Sequence, residues 1–339
     1  TIMDLVAFGG AGAGIALSIV GLMNEWLAPA SALFLILVAV EFFLPLRALG
    51  SVFHVAMNGA SAGKKIISLL NQPDPVWGEK EVAGKELALE KVTFSYDKKR
   101  NVLKDVNMNF PEKGMTAIVG ESGCGKSTVV NLLIGARRPD KGNVLIGGDE
   151  IESVSRASYY SRLASVSYNT YIFNDTVRAN FELAKKDVTD EEIFAALEKV
   201  NLSAFIKENC GLDKVITEDA NNISGGQKQR LALAVNLVAN KDIYVFDEAT
   251  SNIDVDSEAI IMKNIKEMSE SKSVIVISHR LANVVPADSI YFMQDGQVKE
   301  SGSHAYLMER KGEYAKLFNA QKQLEEGYKS GKASAEVVA

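Results

Sequence analysis

The chain has 339 residues, a formal net charge of -6 and 24% charged side chains. Mild acidity of this kind argues against nucleic acid as the main partner. The average conceals an asymmetry: residues 1–63 carry only Asp4, Glu25, Glu41 and Arg47, whereas beyond Lys64 the charge density is that of an ordinary soluble protein. A membrane-like segment is therefore joined to a globular one. The sequence begins in mid-pattern at Thr1, so it reads as the C-terminal piece of something longer.

Leu5–Met23 has no charge and nearly the length that spans a hydrocarbon core, about 20 residues. Gly10 and Gly14 form a G-x-x-x-G pair, which predicts close approach of another helix. Asn24–Pro29 reads as a turn, with Trp26 as an interfacial anchor. A second apolar run, Ala30–Leu46, is broken by Glu41 and Pro45. The two runs make a helical hairpin. Its turn carries Glu25 and no Lys or Arg, while Arg47, Lys64 and Lys65 follow the second run. The positive-inside rule then expects the turn outside and residue 64 onward in the cytoplasm. The second helix is expected to continue to about Leu70. On it Arg47, Ser51, His54, Asn58 and Ser61 share one face. This stripe is either a solvated face or the polar wall of a cargo cavity. Glu41 lies deeper, where ionisable groups usually face a cavity or a partner.

Asn71-Gln-Pro-Asp-Pro75 ends the helix, because proline cannot continue it. The expected organisation is a membrane part at 1–70, a polar linker at 71–85, an α/β nucleotide domain at 86–325 and a tail at 326–339. The end of the tail is expected to be disordered. Strands are predicted at Leu87–Tyr96, Thr116–Val119, Asn143–Ile146, Leu163–Ser167, Ile243–Phe246, Val274–Ile277 and Ile290–Met293.

Between the second of these strands and an apolar helix lies a complete P-loop: Gly120, Glu121, Ser122, Gly123, Cys124, Gly125, Lys126, Ser127 and Thr128. Its main-chain N–H groups wrap nucleotide phosphates, Lys126 supplies a point charge, and the Ser127 hydroxyl ligates Mg²⁺. A helix N-terminus aimed at the phosphates adds a favourable dipole. A disulfide at Cys124 would obstruct that loop, so Cys124 and Cys210 read as free thiols in a reducing cytosol. The apolar strand Ile243–Phe246 ends in Asp247 and Glu248, a Walker B pattern. Asp247 would hold Mg²⁺ through water, and Glu248 would polarise the attacking water.

Ile223-Ser224-Gly225-Gly226-Gln227-Lys228-Gln229 closely resembles the LSGGQ signature of ABC-transporter nucleotide-binding domains. P-loop GTPases, kinases and helicases lack it. The resemblance implies that Ser224, Gly225, Gly226 and Gln227 close on the γ-phosphate bound by a second domain. It also implies that Tyr96 stacks on adenine and that Glu218 is the acidic residue before the signature. Ser251-Asn-Ile-Asp254 matches the D-loop, with Asp254 at the nucleotide, and His279 matches the switch histidine. Glu248 and His279 are thus the expected catalytic pair, with ATP and Mg²⁺ as cofactors. One position departs. Tyr168 stands where the family has a glutamine that touches Mg²⁺ and relays nucleotide state, leaving Asn169 or a water to take that place.

A membrane hairpin followed by a nucleotide domain resembles an exporter half-transporter over residues 1–325. Such halves have six membrane helices, so the hairpin would be the last two. This implies a multi-pass protein of the cell membrane, in contact with lipid, with a cytoplasmic nucleotide domain and a second half-transporter as partner. Glu41-Phe-Phe-Leu-Pro-Leu-Arg47, Leu49-Gly-Ser51 and His54 resemble the sixth helix of the CydD half of cysteine and glutathione exporters needed for cytochrome bd assembly. That narrower resemblance implies a heterodimer, with Arg47 pairing with a cargo carboxylate. Lipid, drug or peptide export is the alternative. So is a regulatory subunit that binds ATP with little turnover, for which Tyr168 speaks.

Overall fold

A computed structural model describes residues 2–71, 75–168 and 171–336. It divides into two units, with the boundary between Asp74 and Pro75.

The first unit is a helical hairpin of α1 (Ile2–Met23) and α2 (Pro29–Leu70). Gly21 turns the chain by accepting the N–H groups of Trp26 and Leu27, and Pro29 starts α2 with its φ already helical. Gly14 lies against Ala39: a Cβ on Gly14 would sit 2.9 Å from the Ala39 methyl. Gly10 lies under the Phe43 ring, with no room for a side chain there. The G-x-x-x-G pair thus does what its spacing predicts. Pro45 does not break α2, which runs through it. A helix can run through a proline where neighbouring helices, Ser/Thr side chains or water satisfy the carbonyl left without a partner. Both helices are long and apolar enough to cross a membrane, with mean hydropathies of 2.0 and 2.2. Most of their apolar side chains stay exposed; Leu17 and Phe34 are 71% and 65% accessible. Glu41, His54, Asn58 and Ser61 are exposed, and the side chains of Arg47 and Ser51 lie outside the described set.

The second unit runs β1 (Leu87–Phe94), β2 (Leu103–Phe110), β3 (Gly114–Gly120), α3 (Lys126–Leu133), β4 (Lys141–Ile146), β5 (Asp149–Glu150), α4 (Arg156–Arg162) and β6 (Leu163–Ser167). Helices α5 (Val177–Ala184), α6 (Asp190–Lys199), α7 (Ser203–Glu208) and α8 (Gly225–Val238) follow. The chain closes with β7 (Ile243–Asp247), α9 (Val255–Ser269), β8 (Ser273–Ile277), β9 (Ser289–Gln294), β10 (Gln297–Gly302), α10 (His304–Glu309) and α11 (Glu313–Glu336). One sheet is antiparallel in the order β2-β1-β4-β5. The other has the order β10-β9-β3-β8-β7-β6, parallel except at the β10 edge.

The parallel strands are apolar almost throughout because both faces are covered. Alternate residues enter two cores. Ile118, Val245 and Ile275 face the antiparallel sheet with Phe110 and Leu132. Val119, Phe246 and Val276 face the helical side with Phe181, Leu197 and Leu231. The carboxyl ends of β3, β6, β7 and β8 share one edge, where open α/β sheets bind ligands.

Two boundaries differ from expectation. From Pro75 onward the expected linker belongs to the nucleotide unit. Trp77 lies 5.4 Å from the Tyr159 ring and 5.6 Å from that of Tyr160, with the Arg138 guanidinium 4.5 Å above it. Arg138 also donates to the Val76 carbonyl, and Ser158 accepts the N–H of buried Val82. A few apolar side chains in a polar stretch suffice to dock it. The expected tail is helical as far as Glu336, where Lys, Glu and Ala favour helix.

Candidate nucleotide site

Gly120 ends β3 at φ +149°, and a side chain there would overlap the Met293 carbonyl. Gly125 caps α3 at φ +110°, with Leu103 2.8 Å from where a Cβ would lie. Only glycine fits either place. The loop between them carries Lys126 to a buried position, where its ammonium donates to the carbonyls of Gly120 at 2.8 Å and Glu121 at 2.9 Å. The Cys124 thiol is buried 3.9 Å from the same ammonium. Cys210, also free, is exposed. Ser127 is exposed at the loop rim. Tyr96, half exposed, packs edge-on against Phe94 at 4.9 Å and hydrogen-bonds Thr128 at 3.2 Å, which brings it to the end of the P-loop.

Asp247 closes β7 opposite Ile277, two residues before His279 on β8's exit. Burial and the neighbouring Glu248 charge push its carboxyl above the ordinary range, while Lys126 and His279 oppose the shift. Glu248 adopts φ +53°, an uncommon choice for a side-chain-bearing residue, and its N–H donates to Ile277. Its carboxylate meets His279 Nε2 at 2.6 Å. The two expected catalytic residues are therefore in direct contact.

Ser224 caps α8 in a reciprocal box with Gln227: the hydroxyl accepts the Gln227 N–H, and the Gln227 side chain accepts the Ser224 N–H. Gly225 is exposed, and Gly226 passes so near the Asn252 carbonyl that a Cβ would sit 3.0 Å from it. Gln229 ties the signature helix to the rest, donating to the Glu248 carbonyl at 3.2 Å and accepting the Asn252 N–H. Asp254 caps α9, and the Ser257 N–H it accepts holds its carboxyl below the usual range. Glu218 opens a single helical turn at Glu218–Ala220. Among the described residues no hydrogen bond joins Ser224–Gln227 to the P-loop. The two halves expected to grip a triphosphate thus belong to separate parts of one chain.

The Tyr168 N–H donates to the Asp247 carbonyl at 3.2 Å, and the side chain is half exposed. It helps line a hollow of about 290 Å³ with Tyr171, Gly225, Gln229 and Asn252. It therefore borders the signature helix. Asn169, named as its possible substitute, lies outside the described residues.

Several lining groups escaped the sequence reading. A groove of about 430 Å³ runs beside the P-loop, walled by Arg100, Asn101 and Val102 and by Gln294–Gly296. Gln229 lies within the signature run but had no assigned role. Glu258, 4% accessible, accepts from Thr250 and Asn283 at 2.8 Å each and from Arg280. No local motif marks Glu258, because Arg280 and Asn283 lie 22 and 25 residues away from it.

Residues 103–251 match the protein-family model of the ABC transporter. The chain is 42% identical over 330 residues to an ABC transporter ATP-binding protein of Haemophilus influenzae, covering 96% of this chain and 59% of that one. It is 36% identical to the ATP-dependent lipid A-core flippase of Aliivibrio fischeri, over 82% of this chain and 49% of the flippase. A bacterial Atm1-family ABC exporter, solved with ATP bound, superimposes at a TM-score of 0.71 with 28% identity, over 94% of this chain and 57% of its own. The chain thus spans about half the length of these proteins. The α/β unit is an ABC transporter ATP-binding domain. Over 94% of its length the chain has the fold of that Atm1-family ABC exporter.

Proposed function

We propose that this chain is the ATP-hydrolysing part of a half-transporter that exports a small solute across the cytoplasmic membrane. The observation that carries this reading is the Glu248–His279 contact at the strand ends that also present Lys126 and Asp247. Each of two paired chains would contribute a P-loop to one ATP and a Ser224-Gly225-Gly226 signature to the other. Gly120–Thr128 would hold the phosphates, and Tyr96 and the Arg100–Val102 wall would receive the nucleoside. Glu248 would orient the water and accept its proton, while His279 steadies the carboxylate and reaches the γ-phosphate side.

Ser127 and Asp247 fit a Mg²⁺ ion. Among the described residues no three His, Cys, Asp or Glu stand together as a full metal site. Mg²⁺ at phosphates, however, needs only one or two protein ligands. Asp247, half-buried with its charge disfavoured, is suited to a cation. When bound, the ion would neutralise phosphate charge.

The hairpin would lie in the membrane with its turn outside and the nucleotide unit in the cytoplasm. The partner is a second half-transporter, with a heterodimer favoured by the Glu41–His54 resemblance. That resemblance also favours a thiol such as cysteine or glutathione as cargo, whereas the similarity to the flippase favours a lipid. ATP-driven uptake of labelled cysteine and glutathione into inverted vesicles separates the two. Stimulation of the ATPase by lipid analogues, and not by thiols, would replace the thiol reading. Glu248→Gln in the assembled full-length transporter is expected to lower turnover about 10³-fold while ATP stays bound. Undiminished turnover would move catalysis to another residue.

A further inference from the structure

The loop that carries His279 is held from two sides. On one side the buried Glu258 carboxylate binds Arg280 and Asn283, and it also binds Thr250 before the D-loop. Within the loop, Ser278 Oγ accepts the Arg280 N–H at 3.0 Å and donates to the Arg280 carbonyl at 3.1 Å. On the other side stands Gln321, from α11, 42 residues further along the chain. Its Nε2 donates to the His279 carbonyl at 2.8 Å. Its Oε1 accepts the Leu281 N–H at 3.0 Å. One planar amide thus spans the backbone on both sides of Arg280, pairing with it as a neighbouring peptide would.

Helix α11 is itself anchored. Tyr314 is fully buried and its hydroxyl bonds His304 Nδ1 at 2.8 Å, while Phe318 lies 4.8 Å from the same imidazole. The Glu300 carboxylate accepts the N–H groups of Glu313 and Tyr314 at the start of the helix. Gln321 therefore reaches the loop from a fixed base. The His279 side chain is half exposed, and its one described side-chain partner is Glu248. Packing alone does not fix its direction; the backbone on either side must.

We infer that Gln321 is a positioning residue for ATP hydrolysis: its side-chain amide sets the His279 backbone so that the imidazole meets Glu248, placing α11 under the switch loop. This rests on the hydrolysis proposed above. The assembled full-length transporter is compared with its Gln321→Leu and Gln321→Glu forms by steady-state ATPase, melting temperature and MgATP binding. Leu removes both bonds at similar volume. Glu keeps the acceptor for Leu281 but sets an oxygen against the His279 carbonyl. Misplacing a catalytic group costs turnover more than binding, so kcat is expected to fall about tenfold in each, with KM for ATP within about twofold. Melting temperature should be unchanged in Gln321→Glu. In a His279→Ala background, read by single-turnover hydrolysis, Gln321→Leu should have no further effect, because both changes act through one imidazole.

Wild-type kcat in both variants would overturn the inference. So would a loss that tracks KM or melting temperature, or a tenfold loss that persists without His279. A wild-type protein that does not hydrolyse ATP would instead sink the hydrolysis reading itself, and this inference with it.

Discussion

The hairpin and the nucleotide unit treat apolar surface in opposite ways. In the nucleotide unit, strands such as Ser273–Ile277 are buried at every residue, and two cores flank the central sheet. In the hairpin, Leu5, Leu17, Phe34 and Phe42 all stand exposed. Its close contacts run along one seam, through Gly10 and Gly14. A soluble protein rarely leaves so continuous an apolar surface uncovered. The first unit leaves its apolar side chains uncovered, as the proposed membrane placement requires, while the second holds what a domain needs to fold.

The sharpest way to break this contrast is to separate the units. Residues 75–339 expressed alone should be soluble and melt cooperatively without detergent, whereas residues 1–71 should need detergent or lipid to stay helical. Calorimetry and circular dichroism read both. A nucleotide unit that aggregates would mean the boundary at Pro75 is misplaced. The next largest effect tests the buried network. Glu258→Ala strands Arg280, Asn283 and Thr250, and should destabilise the isolated nucleotide unit by about 3 kcal/mol in urea titration. A loss near zero would show that these groups re-pair with water. In the hairpin, Gly14→Val forces the helices apart at Ala39 and should lower stability in detergent by about 2 kcal/mol, the scale of overpacking. Gly12→Val, where a side chain has open space, is the control.

The smallest effect concerns Asp247, whose folded-state pKa is raised by burial and by Glu248. A raised carboxyl pKa favours the folded state at pH values below the ordinary carboxylate range. That advantage is lost as pH rises through the shifted value. At pH 7 the ionised group therefore costs stability, and Asp247→Asn should melt about 2–4 °C higher without nucleotide. The gap should close as pH falls toward 4. A gap independent of pH would assign the gain to packing instead.

The parts of the candidate nucleotide site were legible because they are short runs. The P-loop, Asp247-Glu248, Ser224–Gln227 and His279 each announce themselves within a few residues, and the structure brings the first two and His279 to one sheet edge. Strand β2 was missed because its alternation is interrupted: Lys104 and Asp105 are both exposed, and Asp105 turns through φ +54° in a bulge opposite β1. Strand β10 was missed because it is a polar edge. Trp77, Glu258 and Gln321 were missed for a different reason. Their meaning lies mainly in partners far along the chain: Glu258 meets Arg280, Gln321 meets His279, and Trp77 meets Tyr159 and Tyr160. Local pattern carries no trace of such pairings.

Trp77 has a mechanical consequence. Its ring edge lies against Gly135, just past the C-terminal end of α3, so close that a Cβ on Gly135 would sit 2.9 Å away. The opposite end of α3 is the phosphate loop, about 12 Å off along a rigid rod. Any pull arriving along the chain at Pro75 is thus taken up by an aromatic clasp at the butt of that rod. That clasp and the Gly120–Gly125 loop thus stand at opposite ends of one short helix.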